Sequence, residues 1–370
     1  MMARSRQAIV VGGSLAGLSC ALTIARAGVR TLVLERSPAS LVDGAGLGVD
    51  LGLLARVAGD DVAAPGRLPV LHDRTRDSAA YIDVRSWLRS RALEHELIEV
   101  DEHAEVVGLE DGDGDEVTVR TANTQHRAAI VVGADGVRSI TRGFVEPRRP
   151  DAEYAGYLLW RALVDEHGLS QAPAMIPPRD TMRLSSHEGY QLVAYAVPGA
   201  DGSVDPGHRR LSIAWYDGGR SKLLRETKCV EGSRVLQSLT PDRIPKDVIG
   251  ELQSLAGGWP RPWGEVIGRA LDRGLMFGFP IAEYVPTAVA NGRVAIAGDA
   301  AHVATPMTGR GFVTALEDAL AIGSALAENG LVRDAMTAYE RRRLEPVRSL
   351  VMSGRVWSEA FLHPDRLISR

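Results

Sequence analysis

The sequence has few cysteines and lacks long apolar runs, and these two shortages exclude several classes of protein. Its 370 residues include two cysteines, Cys20 and Cys229, whose positions suit neither a metal site nor a disulfide framework. The first apolar run, residues 8–11, is too short for a secretion signal, and no stretch of about 18 uncharged apolar residues follows it. We therefore expect a cytoplasmic protein that has no membrane partner and no bound metal.

An excess of charge of one sign is also lacking. The chain carries 43 Lys and Arg residues against 47 Asp and Glu residues, a formal net charge of -4. It contains no run of basic residues interleaved with aromatic residues, so a nucleic-acid partner is excluded. A chain of 370 residues is too long for one small core, which predicts one large domain or two interleaved domains.

What is present begins with a glycine-rich turn between a short β-branched run and a helical pattern. Gly12 and Gly17 occupy the outer positions of the dinucleotide-binding fingerprint G-x-G-x-x-G, and Ser14 stands at the middle one. A small residue suffices there if its φ angle is negative, and its hydroxyl can donate to a phosphate. Glu35, at the end of the next predicted strand, favours FAD or NAD over NADP because a carboxylate repels a 2′-phosphate. The alternative is an unrelated glycine turn with a solvated Glu35.

Two further motifs follow predicted buried strands. Asp135 lies in VVGADG and Asp299 in AIAGDAAH. At the second of these positions, Asp299, a carboxylate can accept hydrogen bonds from a polyol. Pro306, Gly309 and Gly311 come next, and the helix predicted from Gly311 directs its positive end at this turn. The alternatives are a turn-forming Asp-Gly pair at Asp135 and a helix cap at Asp299.

The sequence pattern changes between the second and third motifs. Residues 154–283 form short alternating runs separated by Gly, Pro and Asp turns, which predict an antiparallel sheet inserted into the nucleotide-binding domain. Helices are predicted at residues 312–328 and 334–361, and we expect the second to be interrupted near Pro346.

Together the three motifs resemble those of the FAD-dependent aromatic monooxygenases, the single-component flavoprotein hydroxylases of the para-hydroxybenzoate hydroxylase type. The stretches GGSLAGL, YAGYLLWRALV and VAYAVPG look most like the 2,6-dihydroxypyridine hydroxylase branch, and the resemblance spans residues 7–345. It implies an α/β fold with a Rossmann-like, parallel-sheet FAD-binding domain formed by residues 1–150 and 286–345. It also implies an inserted mixed or antiparallel β-sheet substrate domain, residues 151–285, and a C-terminal helical segment, residues 346–370.

The resemblance also assigns cofactors and chemistry. It implies bound FAD, reduction by NADH or NADPH, and attack of a flavin C4a-hydroperoxide, formed with O₂, on an electron-rich phenolic or N-heterocyclic ring. The protein is expected to be a monomer or a homodimer. The cofactor-binding residues that it implies are Gly12, Ser14, Leu15, Ala16, Gly17, Glu35, Arg36, Gly46, Arg85, Val106, Asp135, Asp299, Pro306, Gly309 and Gly311.

Side chains of the substrate pocket are expected on the inserted sheet, with one more after the third motif. An ordinary core role is the alternative for each, and none is identified as a catalytic base. The candidates are His187, Tyr190, Tyr195, Arg161, Trp215, Phe277, Phe279 and His302. Two other functions stay open: an NAD-dependent dehydrogenase, against which the motif at Asp299 argues, and a flavin-binding sensor without catalysis.

Overall fold

The computed structural model describes residues 7–37, 45–60, 68–111, 115–169, 171–187 and 189–364. In chain order, the first described part forms β1 (Gln7–Val11), α1 (Leu15–Arg26), β2 (Arg30–Glu35), β3 (Gly46–Gly48), α2 (Leu51–Ala58), β4 (Ser78–Ala80), α3 (Tyr81–Glu94), β5 (Ile98–Glu102), β6 (Val106–Asp111), β7 (Val117–Thr121), β8 (Gln125–Ala128), β9 (Ile130–Gly133) and α4 (Ile140–Val145).

The middle of the chain forms β10 (Glu153–Asp165), α5 (Ala172–Met175), β11 (Arg183–His187), β12 (Tyr190–Val197), β13 (Arg210–Asp217), α6 (Ser221–Glu226), β14 (Val230–Glu231), β15 (Arg234–Val235), α7 (Lys246–Ala256), α8 (Trp263–Asp272) and β16 (Phe277–Glu283). The last part forms β17 (Ala290–Asn291), β18 (Val294–Ile296), α9 (Gly311–Glu328) and α10 (Val332–Leu362).

The first layer is a six-stranded sheet in the order β17-β18-β9-β1-β2-β5. All neighbouring strands from β18 to β5 are parallel, and β17 pairs antiparallel at one edge. Its central strands are apolar and buried throughout, as expected where helices cover both faces of a parallel sheet. Helix α1 packs against α3 and α9. The predicted Rossmann-like parallel sheet is confirmed.

The second layer is a seven-stranded antiparallel sheet built from residues between the two halves of the first. Strands β11, β12, β13 and β10 lie side by side, and β10 also pairs with β16 and β15. One face is a core that includes Trp160 and Trp215 and the helical Trp263. The predicted inserted antiparallel sheet is therefore confirmed. Smaller sheets pair β3 with β4, and β7 with β6 and β8.

Helix α10 corrects one expectation. It runs without a break from Val332 to Leu362 and contains Pro346, where the sequence predicts an interruption. Proline removes one backbone N–H donor, but Tyr339, Val347 and Val351 are buried on either side and hold both halves of the helix against the protein. Among the helices of the described residues, none combines the length and apolarity needed to cross a bilayer.

Candidate active site

The glycine turn after β1 is enforced by close packing. Gly12 has a φ of +104°, and a Cβ there would lie 2.4 Å from the carbonyl oxygen of Ala134, which follows β9. A Cβ on Gly17 would lie 1.8 Å from the Gly12 carbonyl oxygen. Neither position accepts a side chain, so the turn leads directly into α1 and leaves the first N–H groups of that helix at the carboxyl edge of the sheet. That edge is where nucleotides bind in folds of this type.

Ser14 adopts the backbone conformation that the sequence argument requires. Its φ is −89°, and its side chain does not cap α1. Instead the Ser14 hydroxyl lies 2.5 Å from the hydroxyl of Tyr81, at the start of α3. One turn further along α3, Arg85 donates from Nε to the Gly13 carbonyl oxygen at 3.4 Å. Tyr81 was not identified from the sequence, because nothing in its neighbourhood marks it as a partner of a serine 67 residues away.

Glu35 is drawn toward the glycine turn at the end of β2. Its Oε2 accepts from the Gly13 N–H at 2.5 Å, and its Oε1 accepts from the Ser37 N–H at 2.8 Å. The Glu35 carbonyl oxygen accepts from the N–H of Ala104, just before the buried Val106. Arg36 is exposed beside it. Glu35 thus lies next to the turn, and its binding of a ribose stays a prediction.

Asp135 shapes the loop after β9. Its two carboxylate oxygens accept four hydrogen bonds of 2.5–3.1 Å from the hydroxyls and N–H groups of residues 139–141 at the start of α4. This is the turn-forming role that the sequence left as an alternative. Direct contact of Asp135 with a nucleotide stays a prediction, because its acceptor sites are already engaged by the protein.

Asp299 has a different environment. Its side chain is exposed to solvent, yet desolvation by the surrounding protein raises the pKa of its carboxyl, while the charges of His302 and Arg142 lower it. Gly298, directly before Asp299, has a φ of +58°, and a Cβ there would lie 2.7 Å from Cβ of Ala16 in α1. The third motif therefore packs directly on the first.

Arg142, a residue that sequence reasoning missed, joins the second and third motifs. Its guanidinium is buried 4.3 Å from the centroid of the Tyr284 ring. It donates at 2.7–3.4 Å to the carbonyl oxygens of Gly136, Val137, Pro150, Asp299 and Ala300. Desolvation lowers the pKa of Arg142 to about 10, and the nearby carboxylates counteract this, so the group stays charged at neutral pH. Its place in α4 carries no signal that distinguishes it from a surface arginine.

His302 does not line a pocket. It is buried, and its Nε2 lies 2.7 Å from Oδ2 of Asp318 in α9. This corrects the expectation that placed His302 among the pocket side chains: the ring is enclosed behind the loop that carries Asp299.

The segment of residues 303–310, here called the proline loop, connects the third motif to α9. Pro306 is exposed and begins a single 3₁₀ turn that ends at Gly309, whose φ is +60°. Gly311 then starts α9, an 18-residue helix whose first N–H groups face the loop. The loop thus presents an exposed proline next to the positive end of a helix dipole.

The sheet face opposite the tryptophan core meets the proline loop at Met307, and the region beside this contact is here called the cleft. Directly paired residues of antiparallel strands share a face, and Arg161 pairs with Ala214 on one side and Phe277 on the other. The Arg161 guanidinium lies 4.1 Å from the centroid of the Phe279 ring. At one end a Cβ on Gly46 would lie 2.7 Å from Tyr195, and at the other end Met307 of the proline loop packs on the face.

Three of the predicted pocket residues lie elsewhere. Trp215 is fully buried in the core between the sheet and its helices, and the Tyr190 ring packs against it at 5.8 Å between centroids. His187, on edge strand β11, contacts Trp259 on the same side. This corrects the expectation for these three side chains: the strand register turns them away from the cleft that Arg161, Tyr195, Phe277 and Phe279 share.

Tyr195 and Arg161 are two polar side chains at this part of the face, and Ser212 pairs with Tyr195 there. Burial raises the pKa of Tyr195, whereas the Ser212 hydroxyl and the charges of Arg161 and Arg76 lower it. The net direction is upward, so the hydroxyl stays protonated at neutral pH and can donate a hydrogen bond. Around Arg161 the face is apolar, lined by Leu159, Val193, Ala214, Phe277 and Phe279.

These features fit a dinucleotide that carries a planar ring. The turn at Gly12 and Gly17 admits no side chain, the N-terminus of α1 favours phosphate, and Asp299 offers an exposed carboxylate. At the far end, Met307 of the proline loop packs on the Arg161 face. The described residues contain no group of three His, Cys, Asp or Glu side chains that could hold a metal ion.

Comparison with family models finds three matching regions along the chain. Residues 7–52 and 276–353 match two models described as FAD binding domain, and residues 154–267 match a model described as FAD binding domain-like. The first two regions contain the glycine turn and the loops at Asp299 and Pro306. The third contains Arg161 and Tyr195, whereas Phe277 and Phe279 fall within residues 276–353.

Similar proteins span nearly the whole chain. A Klebsiella pneumoniae FAD-dependent urate hydroxylase is 27% identical over 94% of this chain and 88% of its own. The 2,6-dihydroxypyridine 3-monooxygenase of Paenarthrobacter nicotinovorans is 26% identical over 91% of this chain and 86% of its own. The solved structure of the 2,6-dihydroxypyridine-3-hydroxylase of Arthrobacter nicotinovorans superposes with a TM-score of 0.80 at 22% identity, covering 97% of this chain and 93% of that one.

Proposed function

Because this chain belongs to the FAD-dependent aromatic hydroxylases, we propose that it hydroxylates an electron-rich phenolic or N-heterocyclic ring with NAD(P)H and O₂. Bound FAD supplies the transfer of electrons from NAD(P)H to O₂ and of oxygen to the ring. The observation that carries the substrate side of the proposal is the Arg161 face. It is an apolar, aromatic surface with one guanidinium, and it lies between Gly46 and the proline loop.

Each part of FAD has residues suited to hold it. The turn from Gly12 to Gly17 and the N-terminus of α1 would hold the pyrophosphate, with Ser14 as a further donor. Glu35 would accept hydrogen bonds from the ribose, and Asp299 from the ribityl chain. The proline loop would lie against the ring, where the N–H groups at the start of α9 stabilise negative charge.

Arg161 would orient the substrate by its charge. An ionised ring hydroxyl or carboxylate beside a guanidinium forms a strong charge-assisted hydrogen bond, and the electron-rich ring can stack on Phe279. Stabilising the ionised form activates the ring for oxygen transfer without requiring a side chain that removes the proton. Tyr195, whose pKa is raised, would act as a hydrogen-bond donor rather than as a base.

The remaining parts of the proposal concern the setting of the reaction. NAD(P)H is supplied inside cells, so we place the enzyme in the cytoplasm, as a monomer or a homodimer. The reductant is NADH or NADPH, and parallel assays with the two nucleotides distinguish them. Light scattering after size-exclusion chromatography measures the oligomeric state.

The decisive experiment uses purified protein incubated with FAD and freed of excess cofactor. We expect visible flavin absorbance, slow NAD(P)H oxidation alone, and faster oxidation with members of a panel of hydroxypyridines, hydroxybenzoates and purines. Mass spectrometry should then find a product heavier by one oxygen atom, labelled when ¹⁸O₂ is supplied.

Three outcomes contradict parts of the proposal. If the purified protein retains no FAD, the whole proposal is wrong. Stable FAD with no stimulation by any aromatic in the panel favours the non-catalytic flavin-binding sensor. Reversible oxidation of a substrate without O₂ consumption favours a dehydrogenase.

A further inference from the structure

Behind the proline loop, four side chains form one continuous line of hydrogen bonds, here called the hydroxyl chain. The Thr305 and Tyr157 hydroxyls are 2.6 Å apart, and the Tyr157 and Ser358 hydroxyls are 2.9 Å apart. Ser358 donates to Oε1 of Glu283 at 2.6 Å. All four residues are buried, and Oε2 of Glu283 lies 3.3 Å from Nε of Arg355, which reaches the surface.

Counting protons gives the hydroxyl chain a direction. Ser358 has one proton and donates it to Glu283, so Tyr157 must donate to Ser358. Tyr157 then has no proton left for Thr305, so Thr305 must donate to Tyr157. The Thr305 oxygen in turn accepts from the N–H of Met307 and caps the 3₁₀ turn that begins at Pro306. An ionised Glu283 thus orients every donor from the proline loop toward itself.

Helix α10 adds direct packing to these hydrogen bonds. A Cβ on Gly354 would lie 3.0 Å from Cγ2 of Thr305 and 3.3 Å from Cγ2 of Thr308, so the helix backbone lies directly against the loop. One turn after Ser358, the ring of Phe361 lies edge-on to that of Tyr157, 5.3 Å between centroids. The last three turns of α10 therefore contact both the proline loop and the sheet face beside the cleft.

We propose that Tyr157 and Ser358 are positioning residues that hold the proline loop at the place where it meets the flavin ring. Both side chains are buried, and each contacts the loop or the chain of hydroxyls that leads to it. Their effect passes through Thr305 to Pro306, and it determines how firmly the ring is held while oxygen is transferred. The position of FAD in this inference rests on the proposed function, whereas the contacts between α10 and the proline loop do not depend on the cofactor.

The test compares Ser358→Ala and Tyr157→Phe with Ser353→Ala, a matched change at an exposed serine of the same helix. Hydrogen–deuterium exchange of the full-length protein before FAD is added reports the loop directly. We expect peptides covering residues 303–310 to exchange about fivefold faster in the first two variants, the factor expected for the loss of one buried hydrogen bond. Peptides from β1 and β9 should be unchanged, as should all peptides of Ser353→Ala.

A second measurement follows the loaded enzyme. The visible circular dichroism of bound flavin should change in Ser358→Ala and Tyr157→Phe. A larger share of oxidised NAD(P)H should yield hydrogen peroxide instead of product, while the KM for the aromatic stays within about twofold of the parent. A general loss of stability would instead raise exchange throughout the protein.

The two proposals fail separately. If the parent protein binds no FAD, the proposed function fails, and the exchange experiment alone decides whether α10 holds the loop. If the parent hydroxylates a substrate but both variants match Ser353→Ala in loop exchange, flavin dichroism and peroxide yield, the positioning role is wrong.

Discussion

His302 and Asp318 form a buried hydrogen-bonded pair next to the loop that carries Asp299. His302 Nε2 lies 2.7 Å from Oδ2 of Asp318, with side chains 1% and 0% exposed. The same Oδ2 accepts from the Gly298 N–H at 3.0 Å, and Oδ1 accepts from Nε of Arg343 in α10 at 2.7 Å. One carboxylate in α9 therefore fixes the third motif and the long C-terminal helix.

Replacing this carboxylate should be costly. Asp318→Asn leaves Arg343 buried without this counter-charge and His302 without its carboxylate partner, so we expect the free energy of unfolding to fall by about 3–5 kcal/mol in urea titrations. Glu317→Gln, on the same helix turn, removes a partly exposed partner of Arg343 and should cost about 1 kcal/mol or less. Equal losses of unfolding free energy in the two variants would mean that the buried Asp318 carboxylate stabilises the fold no more than the partly exposed Glu317.

The Asp318 pair also predicts a pH dependence. Burial alone would raise the pKa of Asp318, but the charge and hydrogen bond of His302, the charge of Arg343 and the Gly298 N–H outweigh it, and the pKa is lowered. A lowered pKa contributes stability above the pKa of the unfolded chain, near 4, that is lost as the pH falls through the folded value. The difference in unfolding free energy between parent and Asp318→Asn should therefore narrow below about pH 4. Urea titrations at half-unit pH steps test this, and a constant difference would contradict it.

Ser14 tests the pyrophosphate contact. Ser14→Ala removes the hydroxyl that lies 2.5 Å from the Tyr81 hydroxyl. The loss of one hydrogen bond should raise the Kd for FAD by about tenfold at most. Ser14→Leu should abolish FAD binding because the side chain would fill the turn. Ser90→Ala, on the exposed side of α3, is the control. Fluorescence titration measures the affinity of all three variants for FAD. Unchanged affinity in both Ser14 variants would show that Ser14 does not contact the pyrophosphate.

The glycine turn was predictable because local geometry demands its residues. Gly12 has a positive φ and Gly17 meets a backbone oxygen, so any chain with this strand, turn and helix must place glycine there. The parallel pairing of β1 with β2 follows from the strand–helix–strand order β1-α1-β2 along the chain. Motifs formed within a few residues carry their own signal.

Contacts between distant residues carried no such signal. Which face of the sheet a side chain occupies depends on register: Arg161 pairs with Ala214, so the adjacent Trp215 faces the other side of the sheet. The place of His302 after the third motif predicts a position near the flavin, and nothing in the sequence marks Asp318, a helical acid, as its buried partner. Tyr157 meets Thr305 across 148 residues, a contact that only the folded chain reveals.

Arg161 tests the substrate side. If it binds an ionised group of the aromatic, Arg161→Gln should raise the KM by about tenfold or more, since hydrogen bonds to charged groups contribute about 1.5–3 kcal/mol. Arg161→Lys keeps the charge and should recover part of the loss. Arg120→Gln, which breaks an exposed pair with Glu110, is the control. Steady-state kinetics with the best substrate of the panel would contradict this role if the KM of Arg161→Gln stayed at the parent value.

Gly46 tests the contact that closes the cleft on the side away from the proline loop. A Cβ there would lie 2.7 Å from Cε2 of Tyr195 and 2.8 Å from Cβ of Ser212, and the Gly46 N–H donates to the Ser212 hydroxyl at 3.1 Å. Gly46→Ala must therefore move β3 off the sheet, and we expect a loss of about 1–3 kcal/mol in unfolding free energy together with weaker FAD binding. Gly52→Ala, in α2, meets only Asp50 Oδ1 at 3.4 Å and should be neutral or slightly stabilising because alanine favours a helix. Urea titration and FAD titration of both variants decide the matter: a Gly46→Ala protein as stable and as well loaded as Gly52→Ala would show that β3 does not form the wall of the site.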